Sequence, residues 1–440
     1  ERWHFSRLKA LVGRALDSWV LMGAALLLSE AVLVWGVVLR RKYTEIDFKT
    51  YMQQVEMVLD GERDYSLIRG DQGPIVYPAG FVWLYGLLRA CTRLGTDVAR
   101  AQTLFGVLYL VDVGIVARIY ALTFMRAPNG AAPTFWGAVD ARRRFPACLL
   151  CLVALSRRAH SVFALRLFND APCATLTQGA VLLLVEGRHA LACVLYSLAV
   201  SVKMSALLYA PAWYAVLAAA GGHAGALRNI AVCAATQAIV GLPFLLHDPV
   251  AYVKHAFNLG RGFKHHWSVN FKWVPCAKLE TVTDLADCAG PFSSTAFKVG
   301  LLALHVCLLL CLAHFRWLKS RGGLFAFARN PRLRGAFAAG DAAKMLFAAN
   351  FVGIACARSL HFQFCVWYAN TLPLLLWSTA LPLPLRLAAL IAVEIAWNPW
   401  GGSETSSFGS SLLLTGAHAL LLAALFFPAA ADADAAKKLR

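Results

Sequence analysis

Long apolar runs broken by short polar or basic joints make up most of the chain. The first, Trp19 to Leu39, carries a single acid, Glu30, and is long enough to cross a hydrocarbon core, which takes about 20 mostly apolar residues. Further runs follow at 76–92, 101–122, 145–156, 172–186, 189–201, 204–220 and 229–246. After a polar stretch they resume at 297–313, 343–356, 362–378, 381–397 and 410–428. The pattern predicts an all-α polytopic membrane protein of about 10–12 transmembrane helices. Runs as short as 145–156 are expected to be re-entrant or sheltered by neighbouring helices. With no repeat of fixed period and no separable polar region, residues 1–440 read as a single membrane-embedded domain.

Two long polar connections interrupt this pattern, at about 40–75 and 247–295, and a short tail follows the last run at about 429–440. The first connection holds seven acids (Glu45, Asp47, Glu56, Asp60, Glu62, Asp64 and Asp71) out of 24 in the whole chain. Tyr51, Val55, Met57, Val58 and Leu59 fall close to helical spacing, which predicts a short amphipathic helix resting at the membrane interface. Arg2, Arg7 and Lys9 precede the first run, so the N-terminus is expected to be cytosolic and the acidic loop lumenal. That run is too long and too uninterrupted for a cleaved signal peptide.

Composition and charge narrow the reading. With 59% hydrophobic and 15% charged residues, a soluble fold is excluded. The formal charge of +18 sits in clusters between apolar runs, such as Arg40-Arg41-Lys42, Arg142-Arg143-Arg144 and Lys437-Lys438. That is the distribution of membrane-protein loops, and it leaves no basic face for a nucleic acid. The 12 cysteines lie mostly inside apolar runs without zinc-ligand spacing, so no metal site is expected. Cys276 and Cys288 differ, since both fall in the second polar connection and can pair if it is lumenal. The ending Lys437-Lys438-Leu439-Arg440 fits a dilysine signal read by cytosolic coat protein, which predicts retrieval to the endoplasmic reticulum, a cytosolic C-terminus and an even number of spans. An incidental basic tail after the last span is the alternative.

Four polar clusters at the ends of apolar runs carry the candidate chemistry, because such residues are costly in a membrane and mark substrate paths. They are Tyr43 to Asp47, Gly70 to Pro74 with Tyr77, Arg166 to Asp170, and Arg358 to Phe364. A lumenal carboxylate just after the first span suits a transferase whose donor is a polyprenyl-phosphate sugar. One base takes the proton of the attacking hydroxyl, and the phosphate departs as a stable anion without an acid partner. Glycosidases differ in needing two carboxyl groups. Arg358 and His361 offer donors for a phosphate, and Lys203 between two apolar runs is a second cation of that kind. Each has a plainer reading. Asp47 is one of seven loop acids, Arg166 and Asp170 at i, i+4 spacing favour a structural pair, His361 fits a helix cap, and Lys203 is able to snorkel. Spacing alone leaves the reaction open.

At these same positions the chain resembles the dolichyl-phosphate-mannose-dependent α-1,3-mannosyltransferases, the asparagine-linked glycosylation protein 3 family. The matching strings are YTEIDFKTYMQQVE at 43–56, DYSLIRGDQGPIVYPAGFVW at 64–83, GTDVARAQ at 95–102 and HSVFALRLFNDA at 160–171. They continue with SLAVSVKM at 197–204, GLPFLL at 241–246, HHWSVNFKWVP at 265–275 and RSLHFQFCVWY at 358–368. The segment 125–144 and the Ala-rich C-terminal part depart from the family pattern. The resemblance implies a GT-C glycosyltransferase fold in the endoplasmic reticulum membrane with a lumenal active site. It also implies inverting transfer of mannose from dolichyl-phosphate mannose to Man5GlcNAc2-diphosphate-dolichol, without a required cofactor. Carried over residue by residue, it implies Asp47, ahead of Glu45, as base and Arg358 and His361, with Lys203, at the donor phosphate. Tyr43, Asp71, Tyr77, Arg166, Asp170, His265, His266 and Trp267 would then line the substrate cavity. Another dolichyl-phosphate-mannose-dependent step and a lipid-linked oligosaccharide transporter are the alternatives; absent inverted-repeat symmetry weighs against the transporter.

Overall fold

The computed structural model describes residue 13 and residues 15–124, 145–258, 264–283, 286–398 and 406–426, with backbone alone for 278–283 and 286–287. The basic residues before position 13, the 125–144 segment and the Lys437-Lys438 tail lie outside the described residues. Leaving aside short helical turns, the helices are α1 Trp19–Arg40, α2 Phe48–Leu59, α3 Ala79–Cys91, α4 Val98–Phe124, α5 Asp170–Val185, α6 His189–Val202, α7 Ala210–His247, α8 Thr295–Leu312, α9 Ala339–Ala355, α10 Leu383–Trp397 and α11 Phe408–Leu425. Two small antiparallel hairpins sit in the polar connections: β1 Arg69–Gly70 with β2 Gly73–Pro74, and β3 Ala277–Thr283 with β4 Ala286–Ala289. The protein is a polytopic helical membrane protein.

Among the described residues five helical stretches are long and apolar enough to cross a membrane alone: Trp19–Arg40, Val98–Phe124, Met204–His247, Thr295–Trp317 and Phe408–Leu425. That is fewer than the expected 10–12, because several of the expected spans form shorter elements. The Met204–His247 stretch is two helices, because Gly222 takes φ 72 and ψ 179 inside α7 and breaks it where the sequence places a gap between two runs. Ala147–Ala154 and Arg157–Leu165 form one broken element bent by 53°. Ala79–Cys91, Asp170–Val185 and His189–Val202 are shorter apolar helices that pack against their neighbours, and Asp170–Val185 has no exposed residue.

α5 runs through the centre, packed between α4 and α6, with α9 also against it. Its Asp170, Thr175, Thr177 and Gln178 are buried along with its apolar residues, as befits a helix with protein on every side. Glu30, the acid of the first run, is buried within α1 and meets His160 Nε2 at 2.7 Å, and it accepts from the Tyr109 hydroxyl at 2.9 Å. This contact ties α1 and α4 to the segment leading into residues 161–170. Gly80 of α3 lies so close to α6 that a Cβ there would run into the Ser201 side chain, which packs against the bare glycine.

An amphipathic helix forms in the first polar connection as α2, with Phe48, Tyr51, Met52, Val55 and Val58 buried at i, i+3, i+4, i+7 and i+10, while Leu59 of the expected stripe is exposed. Its apolar face packs on α3 inside the main core. The second polar connection likewise has structure of its own: a short helix Pro249–Ala256, a turn His265–Trp267, the β3–β4 hairpin and a Cys276–Cys288 disulfide with Cα atoms 5.3 Å apart.

Candidate active site at one end of the bundle

Asp47 stands at the N-terminus of α2, half-buried, with its side chain not used to cap the helix. Capping falls to Glu45, whose Oε1 accepts from the Lys49 amide at 3.1 Å while Oε2 accepts from the Tyr43 hydroxyl. Burial first, and then Glu45, raise the Tyr43 phenol above its ordinary range, so Tyr43 remains a donor. Glu45 is thereby committed to local structure on the exposed side. Asp47 faces the other way, and Tyr51 donates to its Oδ2 at 3.2 Å.

From Tyr51 a polar chain continues inward. Its hydroxyl lies 3.5 Å from that of Tyr77 and 3.4 Å from Asn169 Oδ1. One phenolic proton cannot serve all three partners at once, and the shortest contact is to Asp47. The same Asn169 oxygen accepts from Lys203 Nζ at 3.3 Å. Lys203 donates to Asp170 Oδ2 at 2.7 Å, and Trp367 Nε1 donates to Asp170 Oδ1 at 2.6 Å. Asp170 is fully buried and Lys203 nearly so, which is tolerable because each neutralises the other and the remaining oxygen is satisfied. The ammonium also sits 5.5 Å from the centre of the Tyr77 ring and 5.2 Å from that of Phe364.

An aromatic ladder joins this network to the second cationic group. His361 stacks on Phe364 at 5.5 Å, and Phe364 stacks on Trp367 at 4.0 Å. Phe364 and Trp367 are three apart on the 3-10 turn Phe362–Trp367, a spacing that superimposes side chains in that helix. The strand of chain before it, 357–360, is stapled by buried Asn270. Asn270 Nδ2 donates to Ala357 O at 2.7 Å, its Oδ1 accepts from Leu360 N at 2.7 Å, and Val269 N donates to Leu360 O at 2.7 Å. Arg358, half-buried, holds its guanidinium 4.9 Å over the Phe292 ring.

Two non-glycine residues at these loops are left-handed, Leu167 at φ 52 and Phe271 at φ 54. Such conformations cost about 1–3 kcal/mol each and persist where the surroundings impose them. Leu167 O is held by the Tyr85 hydroxyl at 2.8 Å, which fixes the turn presenting Asn169 and Asp170.

The family described as ALG3 protein matches residues 24–407, which includes every site residue described in this subsection. The chain belongs to the ALG3 family. A relative from Arabidopsis thaliana, named Dol-P-Man:Man(5)GlcNAc(2)-PP-Dol alpha-1,3-mannosyltransferase, is 40% identical over 93% of this chain and 88% of its own length. Relatives of the same name from Mus musculus and Homo sapiens are each 38% identical over 92% of this chain and 86% of theirs. Among solved structures, a crystal structure of ArnT from Cupriavidus metallidurans bound to undecaprenyl phosphate aligns at TM-score 0.44 and 14% identity, covering 92% of this chain and 76% of that one.

In this ALG3-family chain the structure brings Asp47, Tyr77, Asp170 and Lys203 into one network, with His361 joined to it by the ladder. Residues 166–169 are not helical, so the i, i+4 spacing of Arg166 and Asp170 does not carry the meaning it would have on a helix, and Asp170 takes Lys203 and Trp367 instead. Asp71 stands apart, exposed, where it pairs with Lys49 Nζ at 2.7 Å and accepts from Gln53 at 2.9 Å to hold the β1–β2 hairpin on α2. His266 and Trp267 are exposed at the turn, with rings 4.6 Å apart, while His265 lies against Phe292 at 4.5 Å. His265 and the sulfurs of Cys276 and Cys288 fall within 4.8 Å of one another, but sulfurs joined in a disulfide are not thiolate ligands. Sequence reasoning overlooked the parts played by Tyr51, Asn169, Asn270, Phe292 and Trp367. All but Phe292 lie inside the strings quoted above, and the i, i+3 aromatics of FQFCVW were the one local hint.

Proposed function

We propose that this protein transfers mannose from dolichyl-phosphate mannose to Man5GlcNAc2-diphosphate-dolichol in α-1,3 linkage, on the lumenal side of the endoplasmic reticulum membrane in a GT-C-type scaffold. The observation that carries the reading is the division of labour at the head of α2. Glu45 caps the helix, while half-buried Asp47 is oriented by Tyr51 toward Asn169, Lys203 and the bundle interior. Membership of the ALG3 family and the names of its relatives supply the substrates.

In this reading the acceptor hydroxyl attacks the anomeric carbon as the bond from that carbon to the phosphate oxygen breaks, so a β-linked donor yields an α-linked product. The hydroxyl proton passes to the Asp47 carboxylate, which stands at the positive end of α2. Dolichyl phosphate leaves as an anion, and Arg358 with His361 balances its charge. Lys203, its charge balanced by Asp170, offers the phosphate its remaining N–H donor rather than net positive charge. A leaving group that is already a stable anion needs no acid and no metal. Asp71, His266 and Trp267 fit the rim better than the reacting centre.

The test is transfer of radiolabelled mannose from dolichyl-phosphate mannose to the pentamannosyl acceptor by purified protein. Asp47→Asn should lower kcat by about 10²- to 10⁴-fold with little change in KM, whereas Glu45→Gln should keep most of the activity. Full activity in Asp47→Asn would remove the base assignment, and an inactive wild type would remove the function.

A further inference from the structure

The second polar connection folds over residues 357–361 as a small body of its own. Phe271, Val274, Cys288 and Phe292 form a buried cluster separate from the main core, with Trp273, Cys276 and Phe297 packed around it. Phe292 is fully buried, 5.5 Å separates the rings of Phe271 and Phe297, and 6.1 Å those of Phe292 and Phe297. Four buried residues are too few to hold a fold. Three other ties keep this body in place. Asn270 staples residues 357–360; Lys272 N donates to Ser411 Oγ at 2.8 Å and Trp273 Nε1 to Thr415 Oγ1 at 3.2 Å on α11; and the Cys276–Cys288 disulfide closes the hairpin.

The disulfide belongs to the same cluster as Phe292, and Phe292 N donates to the Pro275 carbonyl, next to Cys276, at 3.5 Å. Gly290, at φ 142, presses so closely on the Pro275 carbonyl that a Cβ would lie 2.9 Å from it, so the turn Gly290–Ser293 is held against the Cys276 side of the bridge. Two side chains of the RSLH and HHW strings, Arg358 and His265, then converge on the one ring. The Arg358 guanidinium lies over its face and the His265 ring meets it edge-on. A guanidinium on a flexible stem has many rotamers, and a fixed aromatic face selects among them.

We infer that Phe292, backed by the Cys276–Cys288 disulfide, is a positioning residue that aims Arg358 at the donor phosphate, so that breaking the disulfide weakens donor binding rather than turnover. This rests on the proposed role of Arg358. Phe292 touches neither substrate nor reacting atoms and acts through Arg358 alone. Reduction is a dithiol exchange: the reductant supplies two electrons and two protons to the Sγ–Sγ bond, leaving Cys276 and Cys288 as thiols and becoming a disulfide itself.

The experiment measures kcat and the KM of donor and acceptor separately, on the purified full chain. Phe292→Leu should raise donor KM about threefold to tenfold, the worth of a partly buried cation–π contact, with kcat and acceptor KM within twofold. Phe292→Tyr, which keeps the ring, should restore the donor KM. A dithiol should give the wild type the donor KM of the Cys276→Ser, Cys288→Ser double variant and leave that variant unchanged. If the double variant does not fold, Phe292→Leu and reduction of the wild type still decide. An unchanged donor KM in Phe292→Leu, or equal losses in kcat and in both KM values, would overturn the inference. Arg358→Ala separates it from the reading beneath it: a raised donor KM there with none in Phe292→Leu defeats the platform alone, and an unchanged donor KM in Arg358→Ala defeats the phosphate role of Arg358.

Discussion

Lys203 and Asp170 set the tolerance of the site to change. Asp170 is fully buried, so Lys203→Met leaves a carboxylate without its ammonium in a place water does not reach. Removing one partner of such a pair costs about 3–5 kcal/mol, whereas replacing both is far milder. Lys203→Met should therefore drop the thermal midpoint of the purified protein sharply, and adding Asp170→Asn should recover most of the loss. A single variant as stable as wild type would mean that the pair is not what holds the site together. Activity need not return with stability, since Trp367 and Asn169 also lean on these groups. Lys203 was recognisable in the sequence as an expensive cation between apolar runs. Its partner was not, because positions 33 residues apart carry no periodic relation.

Among the elements, α2 and α3 show how local pattern and tertiary contact divide the work. The apolar stripe of α2 is in the sequence, but its landing place is not: it packs on α3, a helix that Gly80 lets approach α6 closely. Gly80→Val should destabilise by about 1–3 kcal/mol through overpacking against Ser201, seen as a lower thermal midpoint, and the same change at Gly36, which has open space around it, should not. The β1–β2 hairpin is tied to α2 by the exposed Lys49–Asp71 pair. Lys49 and Gln53 hold the Asp71 carboxyl below its ordinary value, and Asp71 raises Lys49. A lowered acid contributes above its unfolded pKa of about 3.9 and is lost as pH falls through the folded value, while a raised lysine is lost only as pH rises through its own, above about 10. Hairpin opening, read by hydrogen exchange corrected for intrinsic rates, should thus be flat from about pH 5 to 9 and rise at both ends. A step near pH 6 or 7 would point to another group.

For the molecule as a whole, composition and run length determined a great deal: a polytopic helical membrane protein with two long polar connections, the first of them acidic, while the choice of Asp47 among its acids came from the family resemblance. The proposed chemistry adds an expectation at this scale, that chelation of divalent cations leaves at least half of the mannosyl transfer; abolition by a chelator and rescue by one metal would refute a metal-free displacement. Cys276 and Cys288 were legible as a pair because they stand together outside the apolar runs. What the sequence did not contain was the meeting of residues 47, 51, 169, 203 and 367, and the exclusion of Asp71 from that meeting. The physical reason is the same in each case. Hydrophobicity along a chain records which residues leave water and with what period, a local property that survives in one dimension. Which polar groups then neutralise one another inside depends on helices crossing at places set by single contacts such as Gly80 on Ser201, and those exist only once the bundle has closed.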